Sequence, residues 1–231
     1  MKNKILRKLR NIEKEHNVKV LYAVESGSRA WGFASKNSDY DVRFVYIHRL
    51  EWYLSLEEKR DVIEDKGDGL LDMSGWDIKK ALVLFKKSNP PLYEWLESPI
   101  VYLEESNFVK GLRKISLNFF SAKTSFYHYL SMLVNNHKDY INQPKVKMKK
   151  YLYVLRPLFA CAWIEKYHTM PPMEFENLLR SQTLDKKLLK EIFVLLENKR
   201  HGFEQGLAPR RKSLDGYIEN RIRQSRLSQR F

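Results

Sequence analysis

With 231 residues, 43% of them hydrophobic, the chain carries enough apolar material for one large domain or two small ones, which excludes a disordered chain. Forty-two lysines and arginines against 28 acids give a net charge of +14, which favours polyanions: nucleotides, nucleic acid or anionic membrane surfaces. The single cysteine, Cys161, excludes an intrachain disulfide, and no apolar run approaches the roughly 20 residues that span a membrane.

Ile5, Leu9 and Ile12 recur at helical spacing and predict an amphipathic helix over Lys4 to Glu15. This stretch is basic without the continuous apolar core of a secretory signal, so the expected location is cytoplasmic. Val18 to Val24 reads as a strand that ends near Gly27-Ser28. A polar loop follows, and a second strand, Tyr40 to Ile47, opens with Asp39 and Asp41. Side chains two apart on a strand share a face, with Cα atoms about 6.6 Å apart. Val42, Phe44 and Tyr46 then face the other way. Two carboxylates at about 4 Å repel by about 4 kcal/mol at an effective dielectric near 20. Such a pair is suited to a divalent cation, and Mg²⁺ in particular takes carboxylate oxygens together with substrate phosphates. Gly27 lets backbone N–H groups approach phosphate, and the Ser28 hydroxyl can donate to it. The competing reading is structural. Arg43 continues the aspartate face and could make it a surface ion network, and Ser38-Asp39 could be turn chemistry. Arg29 could reach phosphate or pair with Asp39.

Further along, Arg60 to Ile63 and Leu70 to Ser74 read as strands, and Asp61, Glu64, Asp65 and Asp68 as solvated loop or edge-strand acids. Ile78 to Lys87 reads as a helix stopped by Ser88-Asn89-Pro90-Pro91, Leu92 to Leu96 as a helical turn and Ile100 to Leu103 as an extended piece. From Glu105 onward helical periodicity dominates: Phe108 to Phe119, Ser121 to Asn136, Lys145 to Tyr167, Glu174 to Arg180, Leu184 to Asn198 and Leu214 to Ser228, with a loop over His201 to Lys212. Pro157 is expected to kink or break the third of these. Cys161 lies among apolar neighbours and is expected as a buried small hydrophobe. The expected fold class is α+β: a mixed sheet with helices over residues 1–104, then an all-helical domain over residues 105–231.

Lys149, Tyr153 and Arg156 lie at i, i+4 and i+7 and share a helix face, a candidate surface for triphosphate and base or a plain amphipathic face. Trp31 and Trp76 could stack on a base, against the commoner buried role. The tail carries Arg200, Arg210, Arg211, Lys212, Arg221, Arg223, Arg226 and Arg230, a candidate for salt-dependent RNA contact or a solvated face. The six histidines show no metal-ligand spacing, and no phosphate-binding P-loop motif is present.

Gly27-Ser28, the spacer with Gly32, and Ser38-Asp39-Tyr40-Asp41 together resemble the signature of the DNA polymerase beta-like nucleotidyltransferase superfamily. Blocks at residues 76–82, 87–102, 128–132 and 149–158 resemble the YcgL-type predicted nucleotidyltransferases, a family that includes RNA-ligase-associated proteins. The similarity runs to about Leu214. It implies a nucleotidyltransferase fold and the transfer of a nucleoside monophosphate from an NTP to a hydroxyl, with release of pyrophosphate. Mg²⁺ or Mn²⁺ would be held by Asp39, Asp41 and a third acid on a neighbouring strand. Asp72, in Leu70-Leu71-Asp72-Met73, is the first candidate for that acid; Asp77 is the second, with an N-cap as its structural alternative. Gly27, Ser28, Arg29 and Ser38 would meet the nucleotide. An RNA end as acceptor and an RNA ligase as partner follow from the same resemblance; the competing function is a nucleotide- or RNA-binding protein without turnover.

Overall fold

A computed structural model describes residues 1–66, 69–105, 107–141, 143–203 and 206–227. Asp68, the expected helix end at Ser228 and Arg230 lie outside the described residues, as does the side chain of Arg226.

The chain divides into two compact units, the first made of Met1–Ala30 and Ser38–Phe120. It opens with α1 (Lys2–His16), whose buried stripe is Ile5, Leu9 and Ile12, as the helical spacing requires. Asn17, in the left-handed conformation, ends the helix. Then come β1 (Val18–Ser26), a single helical turn α2 (Gly27–Ala30), β2 (Tyr40–His48), a short α3 (Leu50–Tyr53), β3 (Val62–Lys66), β4 (Leu71–Asp77), α4 (Ile78–Lys86), α5 (Pro90–Leu96), β5 (Val101–Glu104) and α6 (Asn107–Phe119). The five strands form one sheet in the order β3-β4-β2-β1-β5. β2 and β4 run parallel, and every other pairing is antiparallel. Val42, Phe44 and Tyr46 point into a core shared with Ile5, Leu9, Ile12, Val20 and Met73. Asn89 both follows the end of α4 and caps α5, accepting from Leu92 N, with Pro90 and Pro91 set in the first turn.

The expected division at 104/105 falls instead between residues 120 and 121. α6 is helical in pattern but belongs to the sheet unit: Arg113 donates to Leu96 O (2.8 Å) and to the Tyr22 hydroxyl (3.1 Å), and pairs with Glu104. The change from strand to helix in the sequence is therefore not the domain boundary.

The second unit comprises Trp31–Asn37 and the chain from Ser121 on. It contains α7 (Ala122–Ile141), β6 (Lys145–Lys147), α8 (Lys149–Tyr167), α9 (Phe175–Arg180), α10 (Lys186–Arg200), β7 (Leu207–Pro209) and α11 (Lys212–Leu227). Its core gathers around α8, with Leu155, Phe159, Phe175, Ile192 and Ile218 in one buried cluster. The segment after Ala30 is part of that cluster. Phe33 meets Phe175 edge-on at 5.6 Å, and Phe175 N donates to Trp31 O at 2.9 Å.

Two expectations need correction here. The unit is not all-helical: β6 and β7 pair antiparallel, Lys145 opposite Pro209 and Lys147 opposite Leu207. Of the kink or break expected at Pro157, the break does not occur: α8 runs through it, with Pro157 buried among core residues. Core packing on every side outweighs the lost backbone hydrogen bond. Cys161 is buried as expected, and burial pushes its thiol well above the ordinary range. Among the described residues no helix is long and apolar enough to cross a membrane.

Candidate functional site

The first unit concentrates its chemistry where β1 ends and β2 and β4 begin. Ser26 stands opposite Asp41 across the β1–β2 ladder, and Asp41 stands opposite Asp72 across the parallel β2–β4 ladder. Cα partners on neighbouring strands are about 4.7–4.9 Å apart, so the two carboxylates rise side by side on one face. That face is opposite to Val42 and Met73, which are in the core.

Gly27 turns the chain at φ +59°, a conformation other residues rarely adopt, and a Cβ there would lie 2.0 Å from Asp41 Oδ2. The missing side chain is what admits the Asp41 carboxylate. Behind it, the buried carboxylate of Glu25 accepts from Asp41 N at 2.7 Å and from the Tyr102 hydroxyl. Ser98 Oγ in turn donates to Glu25 O at 2.6 Å. Burial raises the pKa of both Glu25 and Asp41. For Asp41 the guanidinium of Arg43 opposes the rise, while Asp72 and Asp39 add to it.

Arg43 closes the group. One guanidinium nitrogen lies 3.2 Å from Asp41 Oδ1 and 2.8 Å from Asp72 Oδ2; the other donates to the Val42 and Asp72 carbonyls at 3.2 and 3.3 Å. Arg29 does not reach the Asp39 carboxylate. It donates to Ser38 O (2.7 Å) and Asp39 O (3.0 Å) and lies 3.6 Å from the Tyr40 ring centroid, so it fixes the backbone that delivers Asp39 to the surface. Asp39 itself is exposed, and Ser28 and Ser38 are buried.

Asp77 is not in this group. It stands opposite Tyr46, five residues from Asp72 along β4 and on the other face. There it caps α4, accepting from Lys79 N at 2.8 Å, and accepts from the Tyr53 hydroxyl at 2.6 Å. Trp76 packs against Trp95 at 3.9 Å. In the second unit, Tyr153 and Arg156 do share a face, and what it carries is Trp31: Tyr153 meets the indole edge-on at 5.9 Å and the Arg156 guanidinium lies 4.4 Å over it. Arg156 is only 3% exposed and also donates to Met173 O. Lys149 is half-buried, and its neighbour Lys150 pairs with Asp139.

Glu25 and Tyr102 were not legible as site residues. Glu25 had one signal, a carboxylate closing the apolar run V-L-Y-A-V just before Ser26-Gly27. Tyr102 had none, because only the β1–β5 pairing brings it there.

Among the described residues no three acid, imidazole or thiol groups form a ready-made cation cage. Asp41 and Asp72 are nevertheless hard oxygen donors in register, and the missing side chain of Gly27 lets the Asp41 carboxylate take that position. A partial carboxylate set that leaves positions for phosphate oxygens fits Mg²⁺ or Mn²⁺.

YcgL of Bacillus subtilis (strain 168) is 51% identical over 222 residues, which cover 96% of this chain and 85% of YcgL. A crystal structure of a nucleotidyltransferase-like protein from Exiguobacterium sibiricum 255-15 aligns over 93% of this chain and 73% of its own, at 15% identity and a TM-score of 0.38. The model of the RNA repair pathway DNA polymerase beta family (RlaP) matches residues 1–230, and the chain belongs to that family.

Proposed function

We propose that the protein transfers a nucleoside monophosphate from an NTP to a hydroxyl acceptor, with an RNA end as the favoured acceptor. The observation that carries this reading is the register of Asp41 with Asp72 beside the Gly27 turn. The family's description as part of an RNA repair pathway and the net charge of +14 support RNA over other acceptors.

Asp41 and Asp72 would hold Mg²⁺ or Mn²⁺, with Asp39 at the rim. When bound, that ion neutralises the triphosphate and polarises its phosphoryl oxygens. Ser28 and the backbone around Gly27 would receive the outer phosphates. The acceptor oxygen attacks the α-phosphorus, the bond from that phosphorus to the bridging oxygen breaks, and pyrophosphate leaves. The hydroxyl proton passes to a carboxylate. Asp72 is suited to take it, since its side chain is 47% exposed. Glu25 and Tyr102 act behind Asp41, holding the strand end that presents it. Positioning and electrostatics supply most of the rate in such transfers.

One observation favours a second reading, a nucleotide-binding module without turnover: Arg43 already pairs with both carboxylates. Incubation with each α-labelled NTP, Mg²⁺ or Mn²⁺, and pools of RNA, protein and small molecules decides between them. Label on an acceptor, lost in Asp41→Asn, supports the transferase; tight NTP binding with no transfer to any pool supports the binding module.

A further inference from the structure

Arg43 bridges the two carboxylates that the proposed function assigns to the cation. Its guanidinium spans Asp41 and Asp72 at 3.2 and 2.8 Å, is pinned from its other nitrogen by two strand carbonyls, and is one-fifth exposed. The register explains why. Residue 43 lies two positions beyond Asp41 on the same face of β2, so its side chain folds back across the ladder to the Asp41–Asp72 pair.

We infer that Arg43 is a resident counter-cation that excludes divalent metal until a nucleotide arrives, and so makes the site bind metal and triphosphate together. The inference rests on the proposed function. A bare divalent ion entering the pair meets a positive charge already seated there, and displacing it leaves a largely buried guanidinium without its carboxylate partners. A triphosphate removes that obstacle. Its phosphate oxygens match the planar guanidinium fork as well as carboxylates do. The carboxylates exchange a guanidinium for the ion while Arg43 exchanges carboxylates for phosphate, and every charge stays paired. The coupling is reciprocal, so metal raises nucleotide affinity by the factor by which nucleotide raises metal affinity. Arg43 is thus a positioning and specificity residue.

The test reads binding, not turnover. Free Mn²⁺ is followed by its electron paramagnetic resonance signal while the parent chain and Arg43→Gln are titrated with Mn²⁺ alone. A non-hydrolysable triphosphate analogue is then titrated at saturating Mn²⁺. Arg43→Gln is expected to bind Mn²⁺ alone about tenfold more tightly than the parent and the analogue about tenfold more weakly, within the usual range of such couplings. These opposite signs separate the inference from a merely structural role, which weakens both. Mn²⁺ binding to Arg43→Gln that equals or falls below that of the parent overturns the inference. If Arg43→Gln does not fold, Arg43→Lys is read instead. A point charge holds the pair less well than the fork, so Mn²⁺ is expected to bind about threefold more tightly than in the parent, and parity overturns the inference. Opposite shifts in a chain that labels no acceptor uphold the role of Arg43 and reject the transferase. No Mn²⁺ binding in any form, with or without analogue, rejects both.

Discussion

Gly27 and Asp41 compete for one space: a Cβ at residue 27 would lie 2.0 Å from Asp41 Oδ2. Fourteen positions apart in the chain, the two come together because Ser26 and Asp41 are opposite each other on β1 and β2. The turn and the carboxylate therefore form one geometric unit.

Gly27→Ala is expected to damage activity and fold together. The methyl group collides with the carboxylate and strains a backbone at φ +59°. A cost of about 1–3 kcal/mol in unfolding free energy follows from the backbone alone. Displacing Asp41 by about 1 Å should lower label transfer by about 100-fold. Urea unfolding and labelled-NTP transfer measure the two losses. Full transfer in a normally stable Ala variant refutes the coupling of Gly27 to Asp41.

Asp72 and Asp77 should separate cleanly. Asp72→Asn removes a half-exposed carboxylate beside Asp41 and is expected to cut transfer by at least about 100-fold with unfolding changed by less than about 1 kcal/mol. Asp77→Ala removes a helix cap and the partner of the Tyr53 hydroxyl, a loss of about 2–3 kcal/mol, while the folded fraction keeps its transfer rate. The reverse pattern would make Asp77 the third acid.

The pH dependence of the metal-free protein follows from Asp41 and Glu25. Burial raises the pKa of both, so the folded state binds their protons better than the unfolded state. Their contribution to stability is complete below the unfolded carboxylate values of about 4 and is lost as pH rises through the raised folded values. Asp41→Asn removes the ionised form, and Arg43 keeps Asp72 as its partner. The variant is expected to melt above the parent at pH 8 in chelator, with the gap closing toward pH 4. A gap that widens on acidification reverses the sign and overturns the assignment.

How much of this was legible in the sequence depends on the range of the contact. The strands around Val20 and Phe44 and the α1 stripe come from periodicities of two or 3.6 residues, which are local; Asp39 precedes β2, so the strand period does not reach it. A local signal, the run Leu70-Leu71-Asp72-Met73, ranks Asp72 ahead of Asp77, but the placement of Asp72 beside Asp41 is not local. It depends on β4 lying parallel to β2 with Asp72 opposite Asp41, a register between strands far apart in the chain. The allegiance of α6 and of Trp31–Asn37 is likewise written in partners, Tyr22 and Glu104 for one and Phe175 for the other. The three-residue strands β6 and β7 are too short to show an alternation against the helical signal around them.

Arg156 is by sequence a candidate for the triphosphate or part of a plain amphipathic face, and the structure seats it over Trp31 inside the second unit. Arg156→Ala is expected to destabilise the chain by about 2 kcal/mol through the lost stacking and the uncovered Met173 carbonyl. Paired measurements of melting and of nucleotide affinity decide between the roles. A weakened affinity with unchanged melting returns Arg156 to the nucleotide.

The basic C-terminal helix cannot be tested by deletion, because Leu214, Ile218 and Ile222 of α11 belong to the core of the second unit. Its exposed cations can be neutralised instead. Arg210 pairs with Asp215 and Glu219, and Arg221 with Glu165, so these contribute to the fold. Lys212 and Arg223 are exposed on the same helix. If they contact RNA phosphates, the double variant Lys212→Gln, Arg223→Gln loses two released counterions on binding. The slope of log affinity against log salt for a single-stranded RNA should then fall in magnitude by about 1.4, at about 0.7 per phosphate. Affinity measured by fluorescence anisotropy from low to moderate salt gives that slope directly. An unchanged slope with unchanged melting places the RNA elsewhere on the chain.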